Sequence, residues 1–148
     1  MKAEANRMLE QLAEQGGFDF YGIGELDADK RKLHWVWAKG SVSSRTLNMA
    51  QTRRTGLAGA AIRSGRLVVC DESIVHSEWG RMHDNDPVML AERLQAAAAA
   101  TVVCDGLVCG VLFVGYRTTH RINETEQETI RHLSLHIAKQ LESGIEEE

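Results

Sequence analysis

The sequence predicts a single α+β domain: helices at both ends bracket a middle whose apolar period changes to two, and a clear two-residue hairpin lies near its end. Apolar residues recur at helical spacing near both termini, alternating segments lie between them, and no Pro-, Gly- or Ser-rich linker or internal repeat divides the chain. The expected domain spans 1–148, with helices over 1–16 and 123–143 and an acidic tail over 144–148. The alternating segments between the helices read as the strands of a sheet.

Each element has its own signature. Ala5, Met8, Leu9 and Leu12 mark one helical face before Gly16-Gly17, a C-terminal cap signal. "FDFYGIGEL" reads as a strand whose Gly22 and Gly24 leave room on one face, and the charged turn "DADKRK" leads into a second strand, "KLHWVWAK". Strict alternation there puts Leu33, Trp35 and Trp37 on one face, with His34, Val36 and Ala38 on the other. "RTGLAGAAIRSG" opens a helix with Gly56 and Gly59 in its first turn. Glycine costs about 1 kcal/mol against alanine inside a helix, so something is expected to approach the main chain there. "RLVVCD" is a short third strand. In "HDNDPVMLAERL", Asp86 can cap a helix with Pro87 at its first position, where the missing N–H costs nothing. "TVVCDGLVCGVLFVGY" is a hairpin on an Asp105-Gly106 type I′ turn, with Cys104 facing Leu107 and Val102 facing Cys109. The preceding "AAAAA" fits helix by propensity and strand by continuity. Asn123 and Glu126 form a capping-box variant, and Ile130, Leu133, Ile137 and Leu141 mark the face of the last helix up to Gly144.

Composition removes several functions. The 148 residues carry a formal net charge of -4, and Arg53, Arg54, Arg63 and Arg66 form the one local basic cluster, which argues against a nucleic-acid partner. No apolar run approaches the roughly 20 residues of a membrane helix, and no signal-peptide core follows Met1, so a soluble, cytoplasmic chain is expected. Cys70, Cys104 and Cys109 make no CxxC motif and are odd in number, so buried, reduced thiols are expected rather than zinc or disulfides. His132 and His136 lie four apart on the last helix without a further ligand at metal spacing, and they read as a solvated or dimer-facing pair. His76 and His83 read likewise as non-ligands. No nucleophile sits beside a base, so no catalytic residue, metal or cofactor is expected.

The order of these elements, together with "RTGLAGAAIRSGRLVVCDE", "DGLVCGVLFVGYRT" and "INETEQETIRHLSLHIAKQL", resembles a GAF domain over essentially the whole chain. "WVWAKG", "TGLAGAAIRSGR" and "DPVMLAERL" are similar to the small stand-alone GAF proteins that sense nitrate and modulate an oxygen-responsive histidine kinase. That resemblance implies a central antiparallel sheet of five to six strands, with the terminal helices on one face and pocket-forming helices and loops on the other. It also implies a nitrate site made by Trp35 and by main-chain groups at two helix starts: Gly56, Leu57 and Ala58 at one, Asp86, Pro87 and Val88 at the other. The implied partner is a sensor histidine kinase, and the apolar faces over 5–12 and 130–141 separately predict a second copy of the chain.

Elementary chemistry is compatible with such a site, because nitrate is planar and weakly hydrated and suits N–H donors beside an indole wall. Small residues at Gly22, Gly24, Ala58 and Ala97 to Ala100 would leave the cavity. The chain departs from the family's pattern at Asp86, whose carboxylate could itself occupy these N–H groups, and at Thr46, where an aromatic is expected after Arg45. The alternatives are a ligand-free interaction module and a GAF-type free methionine-R-sulfoxide reductase. Leu57, and the lack of any cysteine between Asp71 and Val103, leave the reductase's thiol chemistry no seat. Cyclic-nucleotide and bilin GAF domains would need an Asn, Lys, Phe, Asp, Glu constellation or a mid-chain cysteine that this sequence lacks.

Overall fold

Six strands form one antiparallel sheet, and its two faces carry two separate apolar cores. The computed structural model describes residues 3–147. In chain order the elements are α1 (Ala3–Gly16), β1 (Phe20–Leu26), β2 (Lys32–Lys39), β3 (Ala50–Thr52), α2 (Gly56–Ser64), β4 (Val68–Cys70), α3 (His76–Asp84), α4 (Pro87–Glu92), β5 (Ala96–Cys104), β6 (Leu107–Tyr116) and α5 (Glu124–Glu147). The sheet order is β3-β2-β1-β6-β5-β4. On one face α1 and α5 cover Tyr21, Ile23, Leu112 and Val114. On the other, α2 and α4 cover Phe20, Leu33, Trp35, Ala97, Ala99 and Phe113. This is the predicted α+β arrangement, with the larger of the two expected strand counts.

Several local signals act as their chemistry dictates. Asp105 and Gly106 take φ of 51° and 79°, as a type I′ turn requires. The amide of Glu126 donates to Asn123 Oδ1 at 2.9 Å while the amide of Asn123 donates to Glu126 Oε1 at 3.0 Å, a reciprocal capping box. The alanine run lies wholly in β5, because the sheet leaves no room there for larger side chains: Ala96 to Ala99 are fully buried.

Four expectations need correction. A bulge leaves Val36 unpaired, since Ile23 pairs with Trp37 and Gly24 with Trp35. The extra residue turns Trp37 into the α1/α5 core, while Leu33 and Trp35 stay on the α2/α4 side. A second shift, between Val102 and Val103, pairs Val102 with Gly110 rather than with Cys109. The extra residue is Cys109, which comes within 5.9 Å (Cα to Cα) of Cys104 and is joined to it by a disulfide, so these thiols are not free. α5 runs through Gly144 into the acidic segment, because one glycine costs too little to stop a helix this long. Finally, β3 and α3 carry no strong sequence pattern and are additions to the expected elements. The side chains of Ala5, Met8 and Leu12 lie outside the described residues, and Leu9 and Ala13 carry the buried face of α1.

Candidate functional site

The two helix starts singled out by sequence do meet, and what joins them is the chain's own carboxylate. Asp86 precedes α4 as its N-cap, and Oδ1 accepts the amides of Val88 at 3.0 Å and Met89 at 2.9 Å. Its other oxygen accepts the Leu57 amide at 2.8 Å, in the first turn of α2. Thr55, the N-cap of α2, makes no side-chain cap of its own. One carboxylate therefore satisfies orphan donors of two helices, in a position that is 1% exposed. The two helix dipoles and three amides favour its negative charge.

Burial acts the other way and prevails. Desolvation pushes the Asp86 carboxyl above the usual carboxylate range, opposed by the Leu57, Met89 and Val88 amides and by His83.

The glycines of the α2 turn now have specific causes. Gly56 has φ +66°, and a Cβ there would lie 2.6 Å from Asp86 Oδ2. A Cβ on Gly59 would lie 2.3 Å from the carbonyl carbon of Arg54. Close approach is thus real at both positions, from a side chain in one case and from backbone in the other.

Trp35 is 2% exposed and meets Phe113 edge to face, with ring centroids 5.8 Å apart. Its indole N–H donates to Gln51 Oε1 at 3.1 Å, and the Gln51 amide donates to the Thr55 carbonyl at 2.8 Å. Gln51 thereby ties Trp35 to the residue that opens α2. Trp35, Leu57, Ala58 and Val88 all belong to one buried cluster.

The glycine space on β1 is filled from within the sheet. A Cβ on Gly22 would meet the Phe20 ring at 3.0 Å, and one on Gly24 would meet Leu33 at 2.8 Å. An open cavity of about 380 Å³ adjoins the α2 start, lined by Gly56, Leu57, Arg63, Arg81 and Asn85 among others. Another, of about 620 Å³, is lined by Arg45, Asn48, Pro87 and Leu90.

A buried carboxylate that sequence reasoning missed, Glu92, and its half-buried partner Arg117 hold the far side of α4. Glu92 is fully buried and accepts from Ser41, from the Val42 amide at 2.8 Å, from Thr46, and from Arg117 Nη2 at 2.9 Å. Thr46 is small and polar because its hydroxyl reaches this carboxylate, where an aromatic side chain would not fit the same contact. Arg117 also donates to the Glu92 carbonyl at 2.9 Å. A charged residue late in a short apolar helix was the one available sequence signal.

Cys70 is fully buried, and desolvation, followed by the charges of Asp86, Asp71 and Glu78, pushes its thiol up to about 12. It is therefore a thiol, not a nucleophilic thiolate, at neutral pH. His132 and His136 are exposed, with ring centroids 6.1 Å apart. His76 and His83 both stack on Trp79, with ring centroids 6.1 and 4.6 Å from it. No cluster of three or more metal-ligating side chains occurs among the described residues. Nor is any helix among them long and apolar enough to cross a membrane.

Comparison with known proteins agrees with this architecture. Solved structures with the same fold include a Staphylococcus aureus NreA protein mutated in its nitrate binding site, at TM-score 0.68 and 21% identity over 82% of this chain and 88% of that one. The free methionine-R-sulfoxide reductase of Neisseria meningitidis is similar at TM-score 0.76 and 17% identity, over 99% of this chain and 80% of that one. The GAF domain of an Acinetobacter phosphoenolpyruvate-protein phosphotransferase is similar at 0.69 and 17%, over 89% and 76%. No curated protein sequence matches. The family model for the GAF domain matches residues 1–142, and with the six-stranded sheet and its two helical layers this shows that the chain belongs to the GAF domain family.

Proposed function

We propose that this chain is a non-catalytic regulatory GAF domain that acts through protein contacts, and that Asp86 stands in it where related sensors would place a free anion. The observation that supports this reading is the single buried carboxylate shared by the amides of Leu57, Val88 and Met89. A tethered anion meets these donors at an effective concentration that a free one at millimolar levels does not match. Nitrate arriving beside an ionised Asp86 would also meet like charge in a poorly solvated place. The output would be a contact with the sensory part of a histidine kinase, the partner class suggested by the likeness to nitrate-sensing GAF proteins. Self-association through α1 and α5 would accompany it, and Leu135 on α5 is 61% exposed. Light scattering should then give twice the 16.4 kDa monomer mass.

A second reading keeps nitrate as the ligand. It is favoured by the buried Trp35 beside the same helix starts and by the fold shared with NreA. Here Asp86 must leave its three amides, and nitrate binding strengthens as pH falls toward the raised Asp86 pKa.

Melting of the purified protein in nitrate, chloride and sulfate separates the two. The first reading predicts equal melting temperatures at matched ionic strength. The second predicts a nitrate-specific rise, worth about 2.7 kcal/mol at a hundredfold excess over the dissociation constant. Kinase autophosphorylation with and without the protein tests the output, and unchanged phosphorylation under both conditions contradicts a kinase-regulating role.

A further inference from the structure

We propose that Cys104 and Cys109 form a reversible redox site that sets whether the β5–β6 turn is clamped onto α5. The pair depends on the second bulge: in a ladder without that register shift, Cys109 would face Val102 instead of approaching Cys104. The disulfide adds little as a structural staple. It closes a loop with only four intervening residues, on a hairpin already set by the Asp105-Gly106 turn and its ladder, and a 148-residue domain has core enough without it.

Both cysteines are partly exposed, and their neighbours Val103 and Leu107 are 43% and 67% exposed, so a small reductant can reach the bond. Cys70, by contrast, is fully buried with its thiol pushed up to about 12, and serves as an internal unreactive control.

A structural consequence is built in. Cys104 and Cys109 pack against the α1/α5-side core, as does Leu141 of α5, and the Asp105 amide, between the two cysteines, donates to Glu142 Oε1 on α5 at 2.9 Å. The bridge fixes the turn that presents this amide.

The chemistry is thiol–disulfide exchange with a low-molecular-weight disulfide. One thiolate of the reduced pair attacks the disulfide and expels one thiolate of the reagent. The second cysteine then attacks the mixed disulfide at the protein sulfur and expels the other. The reagent's S–S bond is broken and the protein's is formed. Two electrons pass from the pair to the reagent, and the two thiol protons are taken up by the departing thiolates.

The test is native-state labelling with N-ethylmaleimide in glutathione buffers, read by intact mass. Excess oxidised glutathione should give no adduct and excess reduced glutathione two, reversibly, with a third only on unfolding. In C104S, oxidised glutathione should leave one mixed disulfide on Cys109. Exchange of the Asp105 amide should be faster in the reduced form. A bond that persists in the folded protein under millimolar excess of reduced glutathione, or two adducts at every ratio, overturns the redox site. Equal Asp105 exchange in both forms overturns its link to α5.

Discussion

Replacing Asp86 with alanine tests the local energetics at the point where two helices share one acceptor. The substitution removes the N-cap of α4, worth typically about 1 kcal/mol, and leaves the Leu57 amide unpaired, at about 1–3 kcal/mol for a buried donor. Relief from burying a charge offsets part of this, so the net loss should be about 2–3 kcal/mol. At about 3 °C per kcal/mol for a domain of this size, melting should fall by about 6–9 °C. Urea unfolding should show a lower midpoint with unchanged slope. The variant also opens a carboxylate-sized gap facing three amides. Formate or nitrate at tenfold excess over its dissociation constant should then restore about 1.4 kcal/mol, while the parent protein stays unmoved. A melting temperature for Asp86→Ala within a degree of the parent, or equal stabilisation of both proteins by formate, would contradict this role for Asp86.

Other outcomes follow from the same geometry. Gly56→Ala forces a side chain into a left-handed position against the Asp86 carboxylate, and should cost at least about 1–2 kcal/mol in chemical denaturation. Trp35→Ala empties a buried ring site and removes the Gln51 contact, so a loss of about 3–5 kcal/mol is expected by calorimetry. Asn123→Ala should cost about 1 kcal/mol by removing one half of the α5 capping box, with the cooperative transition retained. The pH dependence has a definite sign: a carboxyl whose folded pKa is raised holds more protons in the folded state than in the unfolded one. Asp86 therefore contributes stability that is fully present below its unfolded pKa and is lost as pH rises through the folded one. Subtracting an Asp86→Asn variant, which cannot titrate, should expose this term as a stability difference that grows on acidification.

Legibility in the sequence tracked the locality of the interaction. The Asp105-Gly106 turn, the Asn123/Glu126 box and the Asp86-Pro87 helix start are all decided within four residues, and each appears where the sequence put it. The α2 glycines correctly signalled a close approach, but no spacing rule states that Asp86, 29 residues beyond Leu57, provides it at Gly56 and that Arg54 backbone provides it at Gly59. The bulges at Val36 and Cys109 depend on strand-to-strand register, which alternation within one strand cannot reveal. Hence Trp37 changes face and the two cysteines meet. Gln51, Glu92 and Arg117 were missed because each acts through partners from distant segments, joined only by the fold.

The central claim is that the Asp86 carboxyl occupies the amides at which a sensed anion would have to sit, and it is tested most directly by following that carboxyl and those amides together. A nuclear magnetic resonance titration should show the Asp86 side-chain carbon titrating above the usual carboxylate range, for the burial reason given. The amide protons of Leu57, Val88 and Met89 should move with the same midpoint, and near neutral pH they should not respond to millimolar nitrate. Amides that ignore the Asp86 titration but shift saturably with nitrate would contradict the account and make the domain a receptor for the free anion.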